Sequence, residues 1–192
     1  MENIEIKARI QDIDRIIFKA RELSNNDGKI IKQHDIFFNA TKARLKLRKF
    51  EDGTAQLISY MRPNIVGPKV SVYDKASIYA DTVNLIERIL SSAMGVLGVV
   101  KKTRHIFIVG RTRIHIDNVD DLGNFIELEV MMRSGDKNIM DCDRETAEKI
   151  AADLIQALSI KEEDLIAEAY IDLLNRKNNP NMMDLTFSTD AK

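Results

Sequence analysis

The stretch Asn124-Phe125-Ile126-Glu127-Leu128-Glu129-Val130 alternates between apolar and charged residues. Successive side chains of a β-strand point to opposite faces of the sheet. The two carboxylates therefore share one face, and the aliphatic side chains share the other. The stretch predicts a strand that packs against an apolar core on one side and presents two acids on the other.

The same alternation recurs in three more segments, with other charges on the polar face. An acid and a base share one face of Ile4-Glu5-Ile6-Lys7, and three cations share one face of Arg44-Leu45-Lys46-Leu47-Arg48. The segment Arg111-Thr112-Arg113-Ile114-His115-Ile116-Asp117 places two arginines, a histidine and an acid on one face. At least four predicted strands are therefore apolar on one side and densely ionic on the other.

Composition narrows the class of protein. The chain has 192 residues, with 29 Lys and Arg against 30 Asp and Glu, so its net charge is close to zero. This balance argues against non-specific binding to nucleic acid or membranes, although local fields of opposite sign can cancel in the sum. A single cysteine, Cys142, forms no internal disulfide, and the three scattered histidines do not indicate a zinc cluster. With no apolar run as long as a membrane span and no signal peptide, we expect a cytoplasmic protein.

Hydrophobic periodicity predicts the order of the elements in one domain over residues 1–176. Predicted strands cover residues 3–10, 29–39, 43–50, 54–61, 69–79, 97–109, 112–118 and 124–132. Predicted helices run from Ile13 to Leu23, from Asp81 to Met94, from Asp143 to Leu158 and from Lys161 to Asn175, with Asp12, Asp81 and Asp143 as N-caps. The polar segment 177–192 contains Pro180 and is predicted to be a flexible C-terminal tail.

The connections between strands favour an antiparallel α+β fold, because most of them are short. A twisted antiparallel sheet can leave its ionic face open to water, or it can close so that this face lines a lumen. The predicted helices have apolar stripes, which the outer surface of a closed barrel would cover. The pattern of the residues alone leaves both arrangements open.

The ionic faces differ in the sign of their charge. Arg44, Lys46 and Arg48 are all cationic, whereas Glu127 and Glu129 are both anionic. A solvated face is the common explanation for any single alternating strand, but a surface selected only for solubility would mix the signs. Arginine forks suit phosphate oxygens, and gathered carboxylates suit Mg²⁺ or Mn²⁺. A cationic wall opposite a carboxylate wall therefore matches a metal-chelated polyphosphate.

Several short motifs resemble those of the CYTH superfamily of triphosphate tunnel metalloenzymes, which includes class IV adenylate cyclases, thiamine triphosphatases and inorganic triphosphatases. Residues 3–7 are similar to the family's N-terminal Glu-x-Glu-x-Lys signature, in which Glu5 and Lys7 match. The resemblance spans residues 3 to about 174, and the order and spacing of the motifs make it specific. The other similar segments are Gln33-His34-Asp35-Ile36-Phe37-Phe38, Arg44-Leu45-Lys46-Leu47-Arg48, Lys102-Thr103-Arg104, Asp117, Leu122-Gly123-Asn124-Phe125-Ile126-Glu127-Leu128-Glu129 and Tyr170-Ile171-Asp172-Leu173-Leu174.

The resemblance implies an eight-stranded antiparallel closed barrel with helices packed outside and a triphosphate in its tunnel. Lys102 would act as a base for an attacking water, or help to position one, if neighbouring cations such as Arg104 lower its pKa. The resemblance also implies that Mg²⁺ or Mn²⁺ is held by Glu5, Asp117, Glu127 and Glu129. It implies that phosphate oxygens are bound by Lys7, Arg44, Lys46, Arg48, Arg104 and Arg113.

One residue departs from the family pattern. Asn3 replaces the first Glu of the signature, and it offers a carbonyl oxygen without a charge, which weakens one metal site. The leading hypothesis is a metal-dependent phosphohydrolase, a triphosphatase acting on an organic or inorganic triphosphate. The alternatives are a nucleotide cyclase similar to class IV adenylate cyclases and a non-catalytic polyphosphate- or nucleotide-binding module. We expect a monomer or a homodimer without a nucleic-acid or membrane partner.

Overall fold

The computed structural model describes residues 1–133 and 140–179 of the chain. Its strands are β1 (Glu2–Arg9), β2 (Lys29–Phe38), β3 (Arg44–Phe50), β4 (Ala55–Met61), β5 (Lys69–Ile78), β6 (Val96–Val109), β7 (Thr112–Val119) and β8 (Gly123–Arg133). Its helices are α1 (Ile13–Ser24), α2 (Ala80–Met94), α3 (Arg144–Leu158) and α4 (Tyr170–Asn178), with a 3₁₀ helix at Glu162–Asp164. The predicted tail begins within α4, and its residues 180–192 lie outside the described residues.

The strands form a closed antiparallel barrel in the order β1-β5-β4-β3-β2-β6-β7-β8, which confirms the predicted fold. β1 pairs with β8 along its whole length, from Glu2 opposite Arg133 to Arg9 opposite Phe125. Its other edge pairs with β5 over only four residue pairs, which end at Glu5 opposite Lys69. Because the sheet closes on itself, one face of each strand lines a lumen.

The apolar faces of β1, β7 and β8 point outwards and are covered by α1 and α3. Ile6 and Leu128 are cross-strand neighbours, and each is only 1% exposed. Ala20 of α1 and Leu158 of α3 are buried in the same cluster. Full burial of an aliphatic side chain of this size stabilises a fold by about 1.5–3 kcal/mol. This packing leaves the ionic faces of the three strands to line the lumen.

Two of the three predicted N-caps are present. The Asp12 carboxylate accepts a hydrogen bond from the Arg15 amide at 2.9 Å, and the Asp143 carboxylate accepts one from the Thr146 amide at 2.8 Å. The prediction of Asp81 as a cap was wrong, because α2 begins at Ala80 and Asp81 lies within its first turn. Across the described residues, no helix has the length and apolar character to cross a membrane.

The prediction of one helix from Lys161 to Asn175 was also wrong. A short 3₁₀ helix and an extended segment precede α4, and the Ile166 amide donates to the Lys7 carbonyl at 2.9 Å. This segment carries α4 to the end of the barrel where β2 ends and β6 begins. There Ile171 of α4 lies over Gly98 of β6, where an added Cβ would be 2.6 Å from the Ile171 Cδ1 atom. Glycine therefore allows the helix to approach the strand closely.

Candidate functional site

The barrel encloses a cavity of about 640 Å³. All the predicted site residues except Arg44 and Asp117 line it. Lys46 and Glu129 both face this cavity, so the cationic strand and the acidic strand share one lumen. The lining residues from the predicted set are Glu5 and Lys7 of β1, Lys46 and Arg48 of β3, Lys102 and Arg104 of β6, Arg113 of β7, and Glu127 and Glu129 of β8.

Asp35 of β2 is the centre of the cationic wall. Its carboxylate is 1% exposed and accepts two hydrogen bonds from Arg48, both at 2.7 Å. The ammonium groups of Lys46 and Lys102 also donate to it, at 3.0 Å and 3.1 Å. Burial alone would raise the pKa of Asp35, but the three cations hold that pKa well below its usual range. Asp35 therefore stays ionised and fixes three cations around one point of the lumen.

The pKa of Lys102 is lowered, as a base would require, while its role in catalysis stays a prediction. Burial lowers the pKa of its ammonium group to about 7, and the nearby charges of Arg48, Arg104 and Lys46 act in the same direction. The carboxylate of Asp35 opposes this shift. The lowering by neighbouring cations was predicted from Arg104, but desolvation is the larger cause. Near neutral pH this lysine can both hold and accept a proton.

The pKa of Lys46 is lowered in the same way as that of Lys102, but by less. Burial lowers its pKa to about 8, with the charge of Arg48 as the next cause. Its ammonium group also lies 5.5 Å from the centre of the Tyr60 ring. The cationic wall therefore combines arginine, which is always charged, with two lysines whose charge depends on pH near neutrality.

The opposite wall is acidic. Ligand atoms of His115, Glu127 and Glu129 lie within 4.8 Å of one another, which is close enough to hold one metal ion. Arg104 donates to Glu127 at 2.9 Å, Lys7 lies 3.3 Å from Glu127, and Arg113 donates to Glu129 at 2.8 Å. Burial would raise the pKa of Glu127, but Lys7, His115 and Arg104 together hold it well below its usual value. Both glutamates are therefore anionic ligands at neutral pH.

Three buried ligand atoms beside this wall have no hydrogen-bond partner within residues 1–133 and 140–179: Asn3 Oδ1, Glu5 Oε1 and His115 Nδ1. Glu5 Oε1 lies 3.2 Å from Arg62 Nε, but without hydrogen-bond geometry. Burial and the charge of Glu127 raise the pKa of Glu5. Unpartnered oxygen and imidazole donors beside two carboxylates fit a divalent cation such as Mg²⁺ or Mn²⁺.

Asp117 is held by other protein groups. Arg104 donates to both of its oxygens, at 2.7 Å and 2.6 Å, and the Tyr170 hydroxyl donates at 3.0 Å. Asp117 is fully buried and does not line the cavity. This geometry makes it the anchor of Arg104 and of the first residue of α4. Its predicted role as a metal ligand stays a prediction.

Arg44 also lies beside α4 rather than along the cavity. Its guanidinium donates to Asp172 at 2.8 Å and lies 5.9 Å from the centre of the Tyr60 ring. Since Asp172 belongs to α4, this ion pair joins β3 to the helix at the end of the barrel. Phosphate binding by Arg44 stays a prediction.

Sequence reasoning assigned no role to several residues of the site. Asp35 stood in a quoted motif, and its strand phase with Gln33 and Phe37, which line the cavity, was the signal that could have placed it on the inner face of the barrel. Arg62 of the loop after β4 also lines the cavity. Tyr170 also lines the cavity, with its ring 4.2 Å from the Lys7 ammonium group. Tyr170 stood in a quoted motif, but its place in the lumen depends on how α4 docks, which the motif does not show.

The chain belongs to the CYTH domain family, whose model matches residues 1–170. The protein named "Putative adenylate cyclase MJ0240" from Methanocaldococcus jannaschii is 26% identical over 184 residues, which are 90% of this chain and 98% of that protein. The family match confirms the resemblance that the motifs indicated.

Solved structures share the fold. The PH1012 protein of Pyrococcus horikoshii matches with a TM-score of 0.70 and 24% identity, over 89% of this chain and 98% of that one. The Pct1 RNA triphosphatase of Schizosaccharomyces pombe, solved with the Spt5 CTD, matches with a TM-score of 0.54 and 12% identity, over 82% of this chain and 85% of that one. At these identities the likeness concerns the fold alone.

Proposed function

We propose that the protein is a metal-dependent phosphohydrolase that cleaves a triphosphate bound in the barrel lumen. The observation that carries this proposal is the pair of opposed walls in one cavity. Lys46, Arg48 and Lys102 are fixed around Asp35, while Glu127 and Glu129 gather beside His115. The name of the S. pombe structure, an RNA triphosphatase, supports the same class of substrate.

Each wall has a part in the reaction. Glu5, Glu127 and Glu129, with His115 beside them, would hold Mg²⁺ or Mn²⁺. When bound, this ion neutralises phosphate oxygens and increases the electrophilicity of phosphorus. Lys7, Lys46, Arg48, Arg104 and Arg113 bind the remaining phosphate oxygens and orient the chain of phosphates for in-line attack.

Lys102 is the proposed proton acceptor. The attacking water forms a bond from its oxygen to the terminal phosphorus, and the bond from that phosphorus to the bridging oxygen breaks. The proton of the water passes to Lys102 Nζ, and the products are orthophosphate and the shortened phosphate chain. A pKa of about 7 allows a useful fraction of the amine to be neutral at pH 7.

The test is phosphate release from tripolyphosphate, ATP and thiamine triphosphate with Mg²⁺ or Mn²⁺. Glu127→Gln removes one anionic ligand from the acidic wall and is expected to lower the rate at least about 100-fold. Glu163→Gln, at an exposed site on the 3₁₀ helix, is the matched control and is expected to leave the rate unchanged. If the wild-type protein releases phosphate from none of the three substrates, or no faster than Glu127→Gln, hydrolysis is rejected.

A nucleotide cyclase is the second candidate, favoured by the name of the M. jannaschii relative. In that reaction the 3′-hydroxyl of ATP attacks the α-phosphorus, the bond to the β-phosphate breaks and pyrophosphate leaves. The same cavity could serve both reactions, so the products must distinguish them. If the products are cyclic AMP and pyrophosphate instead of free phosphate, the reaction is cyclisation and the proposal of hydrolysis is rejected.

A binding module without turnover is the third candidate, and Asn3 is the observation that favours it. Asn3 is 2% exposed, shares a strand face with Glu5, and its Oδ1 atom has no partner in the part of the chain that the structure describes. An uncharged ligand there leaves the metal site one carboxylate short of the family signature. Gain of turnover in Asn3→Glu, over an inactive wild type that binds tripolyphosphate, would support this candidate.

A further inference from the structure

Gln33 is a buried residue of the lumen to which the proposed hydrolysis gives no role. It lies on β2, lines the cavity and is 5% exposed. Its Oε1 atom has no hydrogen-bond partner within the described ranges. A buried amide oxygen without a partner is unfavourable unless a ligand or a water satisfies it. Gln33 therefore marks a point of the lumen at which a hydrogen-bond donor is expected to bind.

Gln33 lies beside the proposed base. It is directly opposite Lys102 of β6, and both side chains line the cavity. The Cβ atoms of directly opposite residues in an antiparallel pair are about 4.5–5.5 Å apart. Asp35, two residues further along β2, accepts a hydrogen bond from Lys102 Nζ at 3.1 Å. Gln33 and Asp35 are therefore successive inward-facing residues of the strand next to the base.

The charged groups near Gln33 do not supply the donor that its Oε1 atom lacks. Arg48 donates to Asp35 through two nitrogens, and the ammonium groups of Lys46 and Lys102 donate to Asp35 as well. The oxygens of an ionised polyphosphate only accept hydrogen bonds, so a bound substrate would not satisfy Oε1 through its phosphates. In the proposed hydrolysis, the reactant that carries O–H donors is the attacking water.

A water that attacks phosphorus needs two acceptors. One of its protons passes to the base, and the other hydrogen needs an acceptor that holds the water oxygen towards the phosphorus atom. An amide oxygen supplies this acceptor without a negative charge. A carboxylate at the same place would repel the phosphates and would stabilise the protonated form of Lys102. Glutamine therefore suits the position of Gln33 between the base and the substrate.

We propose that Gln33 is a second catalytic residue, which orients the attacking water in a pair with Lys102. This inference rests on the proposed hydrolysis in the lumen. The water donates one hydrogen bond to Gln33 Oε1 and passes its other proton to Lys102 Nζ, while its oxygen forms a bond to the terminal phosphorus. The bond from that phosphorus to the bridging oxygen breaks, and the amide neither gains nor loses a proton.

The first test is Gln33→Leu, with the substrate that the wild-type protein hydrolyses fastest among tripolyphosphate, ATP and thiamine triphosphate. The value of kcat is expected to fall about 10-fold to 100-fold, because a poorly oriented water attacks less often. The Kd of the same compound, measured by calorimetry with EDTA so that nothing turns over, should stay within about twofold of the wild-type value. Gln156→Leu makes the same change at an exposed position of α3 and should alter neither quantity.

Stability distinguishes a catalytic amide from one that supports the fold. Because Gln33 Oε1 has no protein partner among the described residues, its loss should not weaken the barrel. The denaturation midpoint of Gln33→Leu is therefore expected to equal or exceed that of the wild-type protein. A midpoint that falls together with kcat would show that Gln33 supports the fold, and it would reject the catalytic role.

Gln33→Glu separates the amide oxygen from the amide N–H groups. The variant keeps an oxygen acceptor but has no N–H to donate, and its charge raises the pKa of Lys102. The two variants are therefore compared on the alkaline plateau of their pH profiles, where Lys102 is neutral. There kcat of Gln33→Glu should be at least about fivefold higher than that of Gln33→Leu, since orienting the water needs only the acceptor.

Three further results would reject the role of Gln33: an unchanged kcat in Gln33→Leu, a loss of substrate affinity as large as the loss of kcat, or equal rates of the two variants on the plateau. Failure of the proposed function is a different result. If the wild-type protein releases phosphate from none of the three substrates, hydrolysis and the orienting role are rejected together. Turnover that does not depend on Gln33 rejects the role of Gln33 alone.

Discussion

At the scale of the residue, Asp35 determines the electrostatics of the lumen. One carboxylate holds Arg48, Lys46 and Lys102 within hydrogen-bond distance, although all three repel one another. In a buried site such repulsion is weakly screened by water or salt. Asp35 therefore holds three cationic side chains together before a polyphosphate binds, so that binding does not have to bring them together against their repulsion.

Asp35→Asn should destabilise the protein by about 3–5 kcal/mol, because it leaves three buried cations without their anion while keeping the shape of the side chain. The measurement is the free energy of unfolding from denaturant titration. Asp153→Asn, at an exposed helix position paired with Lys149, should change it by less than about 1 kcal/mol. Equal effects of the two variants would contradict the role given to Asp35.

Lys102 makes activity depend on pH in a defined direction. Only the neutral amine can accept a proton, and its pKa in the free protein is about 7. The value of kcat/KM for hydrolysis should therefore rise about tenfold per pH unit below pH 7 and level off above it. Lys102→Arg stays protonated at every accessible pH, so it should lose the rise together with about 100-fold to 10,000-fold of the rate. A wild-type profile of kcat/KM that is flat from about pH 5.5 to about pH 8 would reject this assignment.

At the scale of the element, α4 completes the site by docking on a glycine. Tyr170 joins the helix to Asp117, and Asp172 joins it to Arg44. The close approach of Ile171 to Gly98 sets the distance between α4 and β6. The position of Tyr170 in the lumen therefore depends on a residue that carries no side chain.

Gly98→Ala should destabilise the protein by about 1–3 kcal/mol, because its Cβ would lie 2.6 Å from the Ile171 Cδ1 atom. Ile171→Val removes that atom, so the double variant should be more stable than the sum of the single effects predicts. Thermal unfolding of the four proteins forms a double-mutant cycle. Simple additivity of the two changes would show that α4 does not rest on Gly98.

At the scale of the whole molecule, the barrel encloses a balanced but segregated set of charges. The formal net charge of the chain is −1, yet the lumen has a cationic wall and an acidic wall. Ligands that complement both walls should bind the folded protein and not the unfolded chain. Binding and stability are then linked by mass action.

Tripolyphosphate with Mg²⁺ should raise the free energy of unfolding by about 2.7 kcal/mol at a free concentration 100 times its Kd. The measurement is the shift of the denaturation midpoint as the ligand is titrated. In Glu127→Gln the extra shift that Mg²⁺ adds should become smaller. The shift measured with tripolyphosphate in the absence of Mg²⁺ should remain. No shift in the wild-type protein would exclude binding in the lumen.

Much of this architecture could be predicted from strand periodicity. Alternation around Glu127 and Glu129 fixed which face is apolar, and the short connections indicated antiparallel pairing. Periodicity did not reveal whether the sheet closes, because closure depends on register between distant strands such as β1 and β8. It also gave no role to Tyr170 or Asp35, whose functions come from long-range contacts with Asp117 and Lys102.

The short pairing between β1 and β5 has a consequence for how the protein matures on the ribosome. β1 is made first, but its full-length partner β8 lies more than 100 residues later in the chain. Until β8 emerges, β1 has only four residue pairs with which to dock. Since such distant contacts form slowly, the barrel closes only after β8, the last of its strands, has been translated. We therefore expect most of β1 to lack its strand partner until β8 has been made.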